Sequence, residues 1–293
     1  MSTHCGHHHG HGRDKRDIRL GILLAAFGTA VSDARQAYDA FEERVRELYP
    51  HARLGWAYTA NKVRRKLAER GYGNDSVAVA LSKMVDEGVT HVAVQSLHTV
   101  PGVEYHWTLD QARAFLQPRK GFTDVRVGVP LLHSQVDLAR AVQALRGYIP
   151  EGLGEVEAVV LVGHGTYHDG QARYIDYQAA VAHMRPMVLV GTLMGEPGLE
   201  VVLETLRARN VRKATLVPFM GVPGHHVRED MFGEQEDSWA CTFERAGIAC
   251  ARIMTGTLEH EGFAAIWLDH LRQAMDGLGA GADTMGPIRW KLL

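Results

Sequence analysis

One pattern of residues is written twice along this chain, and a duplicated pattern limits the possible folds more than any overall composition does. Residues 21–29, GILLAAFGT, align with residues 158–166, AVVLVGHGT, with the Gly-Thr pair in register. Farther on, residues 89–105, VTHVAVQSLHTVPGVEY, align with residues 211–227, VRKATLVPFMGVPGHHV. In that register Val100-Pro101-Gly102 overlies Val222-Pro223-Gly224, and Glu104 overlies His226. Both anchors follow apolar runs of strand length and keep their order in each half. Such unbroken apolar runs mark strands that are covered on both faces.

Between the runs lie helical patterns. A helix capped by Ser32 or Asp33 is expected to run to about Leu48, with Ala37, Phe41, Val45 and Leu48 at helical spacing and Pro50 ending it. A strand over 54–59, a basic helix from Asn61, a helix over 77–87 and a strand over 91–96 follow. The second half restarts with strands over 156–162, 187–192 and 214–219, separated by helices over 174–184 and 199–207. This order predicts an α/β fold of two similar lobes, each a mostly parallel sheet flanked by helices, arising by internal duplication. The expected divisions are a His-rich tail over 1–17, lobes over 18–150 and 151–278, and a tail over 279–293.

Composition narrows the function. A formal net charge of -2 gives no electrostatic basis for binding nucleic acid. No apolar run approaches the roughly 18 residues that span a bilayer, and residues 2–17 hold no hydrophobic stretch like that of a signal peptide, so a cytoplasmic protein without membrane attachment is expected. Cys5, Cys241 and Cys250 form no CxxC pair, which suits a reducing compartment. The unusual count is 17 histidines. His4, His7, His8, His9 and His11, interspersed with glycine, read as a metal-binding tail that folding does not need.

In open α/β sheets ligands sit beyond the carboxyl ends of the strands. Three groups suited to a metal fall at such positions: His164 after a strand, and Glu104 and His226 in the matching Val-Pro-Gly loops. Two imidazoles and a carboxylate suit a borderline divalent ion and leave coordination positions open. Plainer readings stand beside this one. His164 also reads as a bystander in a tight glycine turn, Glu104 as a solvated loop acid, and His225 as a competitor to its neighbour. HExxH, the signature of a zinc hydrolase, is absent.

Taken together, GILLAAFGT, VQSLHTVPGVEY, GHGT and PGHHVREDM resemble the anaerobic cobalt chelatases of cobalamin biosynthesis, the class II sirohydrochlorin cobaltochelatases, in register from about Arg19 to about Leu278. The resemblance implies two α/β lobes around a cleft, a small homo-oligomer, and insertion of a divalent ion into a sirohydrochlorin-type tetrapyrrole without ATP. Cobalt is the first expectation, with Fe2+ or Ni2+ next. It also implies a metal site of His164, His226 and Glu104, with both histidines catalytic; His225 departs from the family, where an acidic residue is common. Some members carry haem at a subunit interface and are exported; no haem is expected here. The substrate's peripheral carboxylates call for cations, and Lys62 and Arg64, opening a helix just past a strand, are the expected contacts. His98 and His106 are left without a role. The alternatives are a sirohydrochlorin ferrochelatase for siroheme or haem synthesis, and a metal-trafficking protein that uses the same histidines without catalysis.

Overall fold

The computed structural model describes residues 17–279. Strands β1 (Leu20–Ala26), β2 (Arg53–Tyr58), β3 (His91–Ser96) and β4 (Asp124–Gly128) form one sheet in the order β2-β1-β3-β4. Strands β5 (Glu157–Gly165), β6 (Val188–Met194), β7 (Lys213–Pro218) and β8 (Ala249–Arg252) form a second in the order β6-β5-β7-β8. Every pairing is parallel, and the two sheets have the same topology. The repeat read from sequence is a repeat of architecture.

Helices cover the sheets: α1 (Ser32–Leu48), α2 (Asn61–Glu69), α3 (Val77–Asp86), α4 (Val103–Ala114) and α5 (Gln135–Gln143) in the first half, then α6 (Ala172–Met184), α7 (Leu199–Ala208), α8 (Trp239–Arg245) and α9 (Glu261–Asp276). The apolar stripe of α1 buries Ala37, Phe41 and Val45 as its spacing predicts, whereas Leu48 at its end is exposed. Its start differs from expectation. Val31 is the N-cap and no side chain caps the helix, because Ser32 and Asp33 already lie inside the first turn.

Two features lock the halves together. Helix α9, last in sequence, packs against β3 and β4 of the first sheet and buries Phe263, Ile266, Trp267 and Leu271. One apolar cluster also joins Phe41 and Leu132 of the first half to Tyr177, Phe219 and Trp267 of the second, with the Tyr177 and Phe219 rings stacked at 4.8 Å. Fully burying side chains of this size is worth about 1.5–3 kcal/mol each, so the two halves are held by one shared core.

Candidate functional site

The carboxyl ends of β1 and β5 turn in the same way. Gly28 and Gly165 have φ of 93° and 77°, in the left-handed region that glycine alone enters at no cost. One residue later a threonine hydroxyl accepts a backbone N–H: Thr29 from Val31 at 3.1 Å, Thr166 from His168 at 3.3 Å. The Val-Pro-Gly loops also match, since Gly102 donates to the Val100 carbonyl at 2.8 Å and Gly224 to that of Val222 at 2.9 Å. The loops then cross between halves. Gly102 lies so close to Thr166 that a Cβ there would stand 3.1 Å from its hydroxyl, and Gly224 faces Thr29 at 3.4 Å. Four loops thus interlock where the two sheets end.

His164 belongs to β5 itself, which runs on through Gly165 rather than stopping before the Gly-His-Gly-Thr segment. The flanking glycines have packing reasons of their own. A Cβ on Gly163 would strike the Tyr174 ring at 2.4 Å, and one on Gly165 the Met194 carbonyl at 1.8 Å. They allow close approach of neighbouring elements and leave the imidazole at the junction. There its ring meets Phe27 at 5.3 Å and His226 at 4.8 Å, edge to face.

The hydrogen bonds of these two histidines settle which nitrogens are available. His164 Nδ1–H donates to the Gly165 carbonyl at 3.0 Å, and His226 Nδ1–H donates to the Asp230 carboxylate at 2.6 Å. In a neutral imidazole the other nitrogen then carries the lone pair, so both Nε2 atoms are of the metal-binding kind. Burial holds the His164 pKa below its usual value; the Gly165 hydrogen bond opposes this and the neighbouring His226 adds to it. His226 begins a π-helical turn, Val227–Met231, that brings Asp230 under its ring. His225 is exposed, with its ring 5.9 Å from that of His226.

Glu104 is not a loop residue. It lies in the first turn of α4, where Gly102 is the N-cap. Burial raises its pKa, opposed by a hydrogen bond from Thr59 and by the charge of Arg64, and its Oε2 is sealed from solvent with no hydrogen-bond partner. Among the described residues no three His, Cys, Asp or Glu side chains are grouped so as to hold a metal ion. The structure therefore brings His164 and His226 together without assembling a closed three-ligand cage from them and Glu104.

Of the two basic residues expected to meet substrate, Lys62 is exposed in the first turn of α2. Arg64 is occupied: its guanidinium donates to the Tyr58 carbonyl, to the Thr59 carbonyl at 3.0 Å and to the Asn61 side chain. It ties the β2–α2 corner, a use invisible in sequence because those acceptors converge only when the strand ends there. The tract of His4, His7, His8, His9 and His11 lies outside the described residues. Sequence reasoning missed Asp230, Phe27 and Thr59. The i,i+4 spacing of His226 and Asp230 signals the first only if a helical turn starts at His226, and the repeat alignment, which sets Phe27 opposite His164, signals the second.

A family model described as cobalt chelatase (CbiK) matches residues 20–276. The sirohydrochlorin cobaltochelatase CbiKC of Nitratidesulfovibrio vulgaris is 42% identical over 260 residues, covering 89% of this chain and 92% of that protein. The sirohydrochlorin cobaltochelatase of Salmonella typhimurium is 33% identical over 261 residues, covering 88% and 97%. Among solved structures, SirB from Bacillus subtilis with Fe3+ superposes with a TM-score of 0.62 at 16% identity, covering 89% of this chain and 97% of that one, a likeness of fold.

Proposed function

The chain belongs to the CbiK family of cobalt chelatases, and on that premise we propose that it inserts Co2+ into sirohydrochlorin, needs no ATP, and uses His164 and His226 to hold the incoming ion. The observation that carries this reading is the facing pair of imidazoles, each with Nδ1 committed to an acceptor and Nε2 left as a lone pair.

The chemistry asks for little more. Insertion exchanges two pyrrole N–H protons for one divalent ion, so the site must present the ion with part of its shell exchangeable and must accommodate the departing protons. Two neutral imidazoles bind a borderline cation and leave the remaining positions to water and then to pyrrole nitrogens. An imidazole freed of the ion offers its lone pair to a departing pyrrole proton, and burial makes His164 a weaker base than a free imidazole, so that it releases the proton again readily. Glu104, half-buried and with Oε2 bare, is the carboxylate that this reading uses to stabilise positive charge. Asp230 keeps His226 in the binding tautomer and fixes its ring, as carboxylate partners of ligating histidines do. Lys62, at the start of α2, is the remaining candidate for a peripheral carboxylate. Assembly as a small homo-oligomer belongs to the same reading and is measured by light scattering.

Anaerobic mixing of sirohydrochlorin and Co2+ with a trace of protein and no nucleotide tests this. Many turnovers per protein, followed by the change in the macrocycle's absorption, are expected. A change limited to one equivalent would make the protein a carrier, and faster turnover with Fe2+ than with Co2+ would make it a ferrochelatase.

A further inference from the structure

One ion pair joins the two halves beside the facing imidazoles and has no part in the reaction as described. The Arg228 guanidinium lies 3.5 Å from the Asp33 carboxylate, between residues 195 apart in sequence. Arg228 belongs to the π-helical turn Val227–Met231, two residues after His226, and its backbone N–H donates to the Gly224 carbonyl at 3.2 Å. Asp33 lies in the first turn of α1, just past the loop that carries Phe27 and Thr29. Gly224 faces Thr29 at 3.4 Å and Phe27 touches His164. The interlocked loops that position the imidazoles therefore also bring these two charges together.

As a structural tie this pair is weak. The two side chains are 42% and 76% exposed, and ion pairs so open to water contribute little to stability. The contact is also long, against about 2.7–2.9 Å for a charge-assisted hydrogen bond. Other arginines are used more fully: Arg53 grips both oxygens of Glu87, and Arg64 is shared among two carbonyls and Asn61. Among the described residues Asp33 is the one side chain paired with Arg228, and its other oxygen accepts from the Ser32 hydroxyl at 3.2 Å. The guanidinium keeps most of its N–H donors for another acceptor.

We propose that Arg228 takes a peripheral carboxylate of the tetrapyrrole, and that Asp33 holds its place until the macrocycle arrives. A ring edged with carboxylates must lay its nitrogens over an ion held at His226, so it needs a cation within a few residues of that imidazole. Arg228 supplies one from the turn that His226 begins. A planar guanidinium meets a carboxylate through two parallel bonds, which fixes direction as well as charge. Exchanging one carboxylate for another keeps the local charge balance, and the released Asp33 is already exposed to water. Lys62 stands on the first half and Arg228 on the second, so the macrocycle is held from both. The inference rests on the chelatase reading and deepens it.

Equilibrium dialysis of metal-free sirohydrochlorin against the full-length protein tests this apart from catalysis. Arg228→Ala should raise Kd for the macrocycle about tenfold, the scale of a lost hydrogen bond to a charged group. Arg228→Lys should recover only part, because an ammonium cannot make the paired bonds. Asp33→Asn should act in the opposite direction and tighten binding, by up to about fivefold, since the competing charge is gone. That gain should vanish in the Arg228→Ala background. Weaker binding in both single variants would make the pair a structural tie. An equal gain from Asp33→Asn with and without Arg228 would reduce Asp33 to plain repulsion, and an unchanged Kd in Arg228→Ala would remove the contact. Each of these overturns the proposal. If the wild type binds sirohydrochlorin but inserts no cobalt, the chelatase reading fails while the affinities still decide the place of Arg228; a wild type that binds no sirohydrochlorin overturns both.

Discussion

Phe27 and His164 occupy the same place in the two repeats, and their rings touch, with centroids 5.3 Å apart at the junction of the halves. The duplicated framework therefore offers two equivalent positions and puts an imidazole at only one of them. Glu104 and His226 form the second such pair, each two residues past a Val-Pro-Gly glycine. One half presents imidazoles, the other an aromatic wall and a carboxylate. On the proposed chelatase reading, that asymmetry suits a site that passes its ion to the macrocycle rather than storing it.

Restoring the symmetry should tighten the site and slow it. Phe27→His places a third imidazole beside His164, and the expected result is Co2+ bound about tenfold more strongly, a change of roughly 1.4 kcal/mol, with reduced turnover because release becomes harder. Calorimetry and steady-state insertion check the two halves of this expectation. Weaker binding in the variant would mean that the position does not look onto the ion.

Removing either facing imidazole should be severe. His164→Ala or His226→Ala is expected to lower turnover by about 10²–10⁴-fold with the circular dichroism spectrum intact. His225→Ala, whose side chain is exposed, should stay near wild type. If the His225 variant were the damaged one, the ligand assignment in this loop would have to move by one residue.

The two basic residues at the β2–α2 corner should separate by phenotype. Arg64→Ala removes bonds to the Tyr58 and Thr59 carbonyls and to Asn61, so it should cost about 1–3 kcal/mol of stability in urea unfolding. Lys62→Ala should leave stability alone and raise KM for the tetrapyrrole, with a weaker dependence on salt. A Lys62 variant with an unchanged KM would remove substrate contact from this helix.

Much of this arrangement is legible before any coordinates. The apolar runs of β1, β3, β5 and β7 declare themselves because both faces of each sheet are covered. The pairing of His164 with His226 follows from placing two loops at one end of one sheet. Other parts are silent for physical reasons. Helix α4 presents Tyr105, Thr108, Leu109 and Ala112 inward, and with two small or polar residues among four its period is faint. Helix α9 has a strong stripe, but its partner is the sheet of the other half, which chain order does not announce. Arg64 looks like a free cation until the strand end beside it supplies carbonyls, and Glu104 looks like a loop acid because its helix begins at a glycine.

Acid should unfold the protein partly through His98. Its folded pKa is about 4, against about 6.5 for an unperturbed histidine. Between those values the unfolded chain binds more protons than the folded one, so stability rises with pH across that window. The contribution is complete above about pH 6.5 and fades as pH falls toward 4, with a slope of up to about 1.4 kcal/mol per pH unit. Urea unfolding at several pH values should show a flatter dependence for His98→Gln. An identical dependence in the variant would mean that His98 is reached by protons without unfolding.

The clamp that holds α9 to the first half should be fragile to a single change and tolerant of a paired one. His270 Nδ1 lies 3.0 Å from the Val129 carbonyl and Nε2 2.9 Å from the Asp137 carboxylate, so the ring bridges α9 to two elements of the first half. Both side chains are buried. For Asp137 burial acts to raise the pKa, but hydrogen bonds from Ser134 and His270 outweigh it and hold the value below the usual range. The carboxylate therefore stabilises the fold above the ordinary aspartate pKa of about 3.9, and this contribution is lost as pH falls below it. Asp137→Asn removes the buried carboxylate that bonds His270 and Ser134 while leaving both partners in place, and should cost about 3–5 kcal/mol at neutral pH. Replacing both members of the buried pair, in Asp137→Leu with His270→Phe, should recover part of that loss, because an apolar pair incurs no desolvation penalty; the capping bonds between Asp137 and Ser134 stay lost. Unfolding of the single and double variants in urea reads the difference, and a double variant no more stable than Asp137→Asn would show that the lost capping bonds set the cost.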